Sequence, residues 1–212
     1  MATFDAQFVQ DFYKMVFGDH YPVKLSEFIP DLVNRDYNLM TKTDTIDSLR
    51  EHNYAKFADD DILNFWTTVD NRDRRMKLFG GFQKACYPHY KFDTAQEQTI
   101  ARICEADPAV EKWLRPALGQ LRLYWDNNRR EYSPDFLIGT TDGLYLLEPK
   151  MRRDMEANDV LAKARTAVEY CAPASAYTAA HGGESWDYVL IPHDRTSANA
   201  SIAGLVGEFV VA

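Results

Sequence analysis

The sequence predicts an α/β protein: a small mixed β-sheet flanked by helices, in the order helix, three strands, helix, strand, with a helical region ahead of it. Three observations predict this. From residue 94 onward, amphipathic helical spacing alternates with short apolar runs. "TTDG" at 140–143 divides two such runs as a hairpin turn does. A chain of 212 residues, 46% hydrophobic and 13% aromatic, can fill the core that a covered sheet needs.

The elements follow in order. "AQFVQDFYKMVF" sets Phe8, Val9, Phe12, Met15 and Val16 on one helical face. "ADDDILNFWTTV" reads as a second helix, with Asp59 to Asp61 complementing its N-terminal dipole rather than gathering a metal. "TAQEQTIARICEA" carries Ile100, Ile103 and Cys104 on one stripe, and "PAVEKWLRPAL" reads as a shorter helical piece. "GQLRLYW" alternates as a strand does. "YSPDFLIG" and "GLYLLEPK" form a hairpin across the turn. "DVLAKARTAVEYC" places Val160, Leu161, Ala164, Ala167, Val168 and Cys171 at helical spacing. "WDYVLIP", bounded by Gly and Pro, reads as a buried strand.

Charge suggests how the chain is organised. The net charge is −8. Residues 1–70 hold 6 Lys/Arg and 13 Asp/Glu, whereas residues 71–212 hold 18 and 19. The acidity belongs to the first third, so the remainder is free to present a local basic face to a nucleic acid. The predicted division is an accessory helical region over 1–77 and a second domain over 78–212. Cys86, Cys104 and Cys171 are odd in number and widely spaced, which argues against a disulfide framework and for a reducing compartment. No apolar run approaches the roughly 18 residues of a membrane span, and the start lacks the order of a signal peptide. A cytoplasmic protein without a membrane partner is the expectation.

Several constellations favour structural roles. Cys86-x-x-His89 lacks a second pair nearby to complete a zinc site. Trp66, Trp113, Trp125 and Trp186 lie in apolar surroundings and read as core. Arg72, Arg74, Arg75 and Lys77 form a basic cluster that reads as a solvated segment or a DNA-backbone contact, and His193 reads as a loop histidine. There is no G-x-S-x-G elbow.

The hairpin is different. Residues opposite each other in an antiparallel pair share a face. A two-residue loop at Asp142–Gly143 puts Asp135 opposite Lys150, and a four-residue loop from Thr140 to Gly143 puts it opposite Glu148. Every even loop gathers Asp135, Glu148 and Lys150 at one end of a hairpin otherwise rich in Phe, Leu and Ile. The bland alternative is an exposed salt bridge worth about 0–1 kcal/mol. The apolar neighbours weigh against it, because a charge buried without purpose is costly. Two carboxylates beside an ammonium suit Mg²⁺ and phosphodiester hydrolysis.

"PDF" at 134–136 and "EPK" at 148–150 resemble the PD-(D/E)xK nuclease signature. With "FDTAQEQTIARICEADPAVEKW", "VLAKARTAVEYC" and "WDYVLIPHD" in the expected order, the chain resembles the C-terminal endonuclease domain of type III restriction enzyme Res subunits over roughly residues 78–205. The resemblance implies a restriction-endonuclease-like core (αβββαβ) and a Mg²⁺-dependent DNA endonuclease, with Mn²⁺ able to substitute. It implies Asp135, Glu148, Glu97 and the Pro149 carbonyl as metal ligands and Lys150 as the residue that positions the attacking water. Lys163, Arg152 and Arg153 would contact DNA. Glu97 also completes a capping box with Thr94. Pro149 is unusual inside a central strand, and Met151-Arg152-Arg153 stands where the family often has Gly. Family members carry an ATP-driven motor ahead of this domain. No G-x-x-x-x-G-K-[ST] loop occurs here, and "FGGFQK" does not supply one. A helicase-like motor and a modification subunit are therefore the implied partners, besides DNA. The rivals are a catalytically idle nuclease fold for docking or assembly, and a phage or repair nuclease acting on branched or single-stranded DNA.

Overall fold

The computed structural model describes residues 61–116, 121–125, 130–180 and 182–211. The predicted helix over Phe8–Val16 and the residues Asp59 and Asp60 lie outside them. The fold is mixed α/β. Its main sheet has five strands in the order β4 (Val110–Leu114), β7 (Phe136–Thr140), β8 (Leu144–Lys150), β9 (Trp186–Pro192) and β10 (Val210–Val211). A three-stranded sheet joins β1 (Ile62–Asn64), β2 (Leu78–Gly80) and β3 (His89–Tyr90), and a hairpin pairs β5 (Leu123–Trp125) with β6 (Arg130–Tyr132).

In the main sheet β4–β7, β7–β8 and β9–β10 are antiparallel, while β8 and β9 run parallel. A parallel pair needs a crossover, here the helix α3 (Asn158–Ala180), which packs Val160, Ala164, Ala167 and Cys171 inward. Helix α1 (Asn71–Arg74) links β1 to β2, α2 (Ala95–Ala106) precedes β4, and α4 (Ile202–Phe209) precedes β10. Helix α2 starts at Thr94, whose Oγ1 accepts the Glu97 amide (3.2 Å). Replacing Thr94 with Ala is expected to cost about 1 kcal/mol in urea unfolding.

Two predicted helices are strands. Val110–Leu114 pairs with β7 through a bulge that leaves Glu111 without a β7 partner. On its other side the Trp113 amide donates to the Lys84 carbonyl, and the Cys86 amide donates to the Trp113 carbonyl. Backbone pairing on both flanks overrides the helical appearance of "AVEKWL". Ile62–Asn64 pairs in parallel with Leu78–Gly80, and the Asn64 side chain then caps a turn by accepting the Trp66 amide. "GQLRLYW" does form a strand at Leu123–Trp125, but it joins β6 rather than the main sheet. The expected succession of helix, three strands, helix and strand is supplied by α2, β4, β7, β8, α3 and β9, with β5–β6 inserted.

The division expected at residue 77 runs through the smaller sheet, since β1 pairs with β2 across it. Arg74 is buried there, donating to the Gln98 side chain and the Val69 carbonyl (2.8 Å each), so it is a structural member of the basic cluster. In "FGGF", Gly80 packs where a Cβ would meet His89 at 2.8 Å, and Gly81 has φ +90°. These are turn and packing glycines.

Trp113, with no exposed surface, centres the core. Its ring stacks on Tyr90 at 4.8 Å and meets Phe82 edge-on at 5.3 Å and Phe136 at 5.9 Å. Trp186 is also buried, but Trp125 is half-buried and Trp66 is 53% exposed, so the expectation of four core tryptophans fails at Trp66. Arg102 covers the Trp66 ring. Cys86, Cys104 and Cys171 are buried and free. Burial pushes the Cys171 thiol up to about 12. Among the described residues, no helix is long and apolar enough to cross a membrane.

Candidate active site

The turn decides the register. The Thr140 hydroxyl accepts the amides of Asp142 and Gly143 (3.2 Å each), and the Thr140 amide donates to the Gly143 carbonyl (3.0 Å). Gly139 consequently pairs with Leu144 and Phe136 with Leu147. The pairs end there; extended by one step, this register, the one a four-residue loop requires, aligns Asp135 with Glu148, whose charge acts on it. Strand β8 outruns its β7 partners at this end while remaining paired to β9 through Lys150. Pro149 lies in that overhang, paired only to Ile191 of β9, where a missing N–H is tolerated.

Glu148 is buried and held from two sides. Lys150 Nζ donates to its Oε1 at 2.7 Å, and the Tyr132 hydroxyl donates to its Oε2 at 3.1 Å. Burial holds the Asp135 carboxyl well above the usual carboxylate range, and the Glu148 and Glu97 charges push it further. Arg115 and Lys150 oppose that rise without cancelling it. Burial alone would lower the Lys150 ammonium, but Glu148, Asp135 and Asp159 outweigh it and the net direction is upward. Lys150 therefore keeps its charge at neutral pH and acts as a hydrogen-bond donor.

Glu97 reaches this group from the first turn of α2. Its carboxylate accepts the Asp93 amide (2.8 Å), one residue before the N-cap amide that the capping box predicts. It also receives the Arg115 guanidinium at 2.8 Å. Arg115 further contacts Asp93 (3.3 Å), donates to the Lys91 carbonyl and lies over the Phe92 ring. Three carboxylates and two cations thus act on one another at the ends of α2, β4, β7 and β8.

The candidate DNA contacts separate. Lys163 stands over the rings of Trp125 (5.3 Å) and Tyr132 (6.0 Å), with Asp159 at 3.7 Å. Tyr132 therefore links it to Glu148. Arg152 is exposed and bound to Asp194 at 2.7 Å, which lowers the Asp194 carboxyl, and Arg153 is exposed beside Asp154 at 3.5 Å. The Arg152–Asp194 bridge ties the turn after β8 to the one after β9, where His193 lies. Cys86 is fully buried.

Sequence reading missed Tyr132 and Arg115. Tyr132 lies three residues before Asp135, yet nothing local shows that its hydroxyl returns to Glu148. Arg115 follows a strand that reads as helix. Among the described residues, no three His, Cys, Asp or Glu side chains stand together as a ready-made metal group. The donor set nevertheless fits a hard divalent cation. It is all oxygen, and Asp135 carries the charge conflict that a cation relieves. No family model, curated protein or solved structure matches the chain.

Proposed function

We propose that the chain is a divalent-metal-dependent endonuclease of the PD-(D/E)xK kind, with a restriction-endonuclease-like core, that hydrolyses phosphodiester bonds in DNA. The observation that carries this reading is the charge of Glu148 acting on Asp135, just before β7, with Lys150 bound to Glu148 at the end of β8. The strand order β4-β7-β8-β9-β10, with α2 leading in and α3 crossing over, supports the same core. Within that superfamily, the sequence blocks quoted above favour kinship with type III Res endonuclease domains. A modification subunit and a helicase-like motor would then be partners.

Asp135, Glu148 and Glu97, with the Pro149 carbonyl, would hold Mg²⁺ or Mn²⁺. Such an ion supplies charge stabilisation at the phosphate and acidifies water. The chain's own groups orient the reaction. The Lys150 ammonium directs its N–H groups at the attacking water or a phosphate oxygen. Arg115 fixes Glu97. Lys163, propped on Trp125, and the exposed Arg152 and Arg153 offer charge to the DNA backbone.

A second reading has its own support. Glu148 is bound to Lys150 and Glu97 to Arg115, so two of the carboxylates are neutralised from within the chain. A nuclease fold retained for DNA docking or complex assembly would look like this. Crystals soaked in Mn²⁺ separate the two. The nuclease reading expects an anomalous peak between Asp135 and Glu148 that is lost in Glu148→Ala. Well-ordered wild-type crystals without a peak would favour the idle module. Cleavage of duplex, forked and single-stranded oligonucleotides would then distinguish a restriction-type activity from a repair-type one.

A further inference from the structure

A ligand carboxylate must be held in one rotamer if it is to receive a metal repeatedly, and the group that holds it is often outside the ligand set. Glu148 has two such neighbours of different chemistry. Lys150 comes from the same strand and brings a positive charge that competes with any cation. Tyr132 comes from β6, on a separate hairpin, and brings a neutral hydroxyl. It orients Glu148 without cancelling its charge.

The surroundings suit that task. Tyr132 is 7% exposed, so its hydrogen bond faces little competition from water. Its oxygen lies 3.4 Å from the Tyr188 hydroxyl on β9, which does not itself bond to Glu148. The Lys163 ammonium lies over its ring and ties the hairpin to α3.

We propose that Tyr132 is a positioning residue that fixes the Glu148 carboxylate for metal capture, an inference that rests on the nuclease reading above. When Lys150 turns toward substrate, the Tyr132 bond to Oε2 keeps Oε1 presented. The test compares Tyr132→Phe with Tyr188→Phe, which removes a hydroxyl from the same pocket without touching Glu148. Mn²⁺ affinity is read by the paramagnetic resonance of the free ion, and cleavage by steady-state kinetics. Tyr132→Phe is expected to weaken Mn²⁺ binding about tenfold, the usual effect of losing such a support, and to lower kcat with KM for DNA unchanged. Tyr188→Phe should leave both as in wild type. Equal shifts in the two variants, or a shift in neither, would overturn the proposal. A crystal structure of Tyr132→Phe judges it independently of metal: Glu148 should leave its wild-type rotamer, and an unmoved side chain refutes positioning. If wild type takes up no Mn²⁺, the nuclease reading fails while that structural comparison still decides.

Discussion

Replacing Asp135 with Asn is expected to slow cleavage severely and, at neutral pH, to make the metal-free protein more stable. Asp135 is held above its ordinary pKa by burial and by the charges of Glu148 and Glu97. The folded state therefore binds its proton more tightly than the unfolded state, whose Asp titrates near about 3.9. Between those two pKa values the native state carries more protons, so unfolding free energy falls as pH rises through that window. The contribution of Asp135 to stability should grow as pH falls through that window and level off below about 4. Asp135→Asn removes the conflict at every pH, adding about 0.5–2 kcal/mol at pH 7, the range typical of stabilising substitutions at strained sites. Denaturant midpoints of both proteins from pH 4 to 8 test the sign; converging curves at high pH would contradict it. In the same variant, cleavage should fall on the order of 10²–10³-fold, as when one preorganised electrostatic group is lost.

Trp113→Ala carries the largest expected loss of stability, about 3–5 kcal/mol for a buried aromatic truncated in a packed core. The deletion opens a void against Tyr90, Phe82 and Phe136. It also removes the indole N–H that donates to Glu105 at 2.8 Å. Glu105 keeps the amides of Gln83 and Lys84, which limits the electrostatic part of the damage. Against a total stability of about 5–15 kcal/mol, the variant should unfold at much lower guanidinium or fail to accumulate folded. Trp113→Phe, which keeps most of the ring volume, should cost clearly less. Equal midpoints for Trp113→Ala and wild type would mean that this cluster does not carry the core.

What could be read from the sequence was what local chemistry decides. Thr94 and Glu97 mark the start of α2, "TTDG" marks the hairpin, and Val160, Ala164, Ala167 and Cys171 of the predicted α3 stripe face inward, while Val168 is half-buried and Leu161 is exposed. Asp135, Glu148 and Lys150 could be gathered on paper because period-two alternation fixes faces whenever the loop is even. The choice between Lys150 and Glu148 as the facing residue needed the Thr140 hydroxyl bonds. Strand β4 could not be read because its state is imposed by residues 84–86 on one flank and β7 on the other. Arg115 and Tyr132 meet the carboxylates through that same long-range assembly, and no spacing rule reaches them.

The double flanking of β4 also bears on self-association. An exposed sheet margin is a template on which another chain can add a strand. Here one margin of the five-stranded sheet is already engaged at Trp113 by the segment around Ala85. The other ends in β10, two residues long. Edge-to-edge polymerisation has little backbone to grow from, so concentrated or heat-stressed samples should associate through side-chain surfaces rather than by extending this sheet.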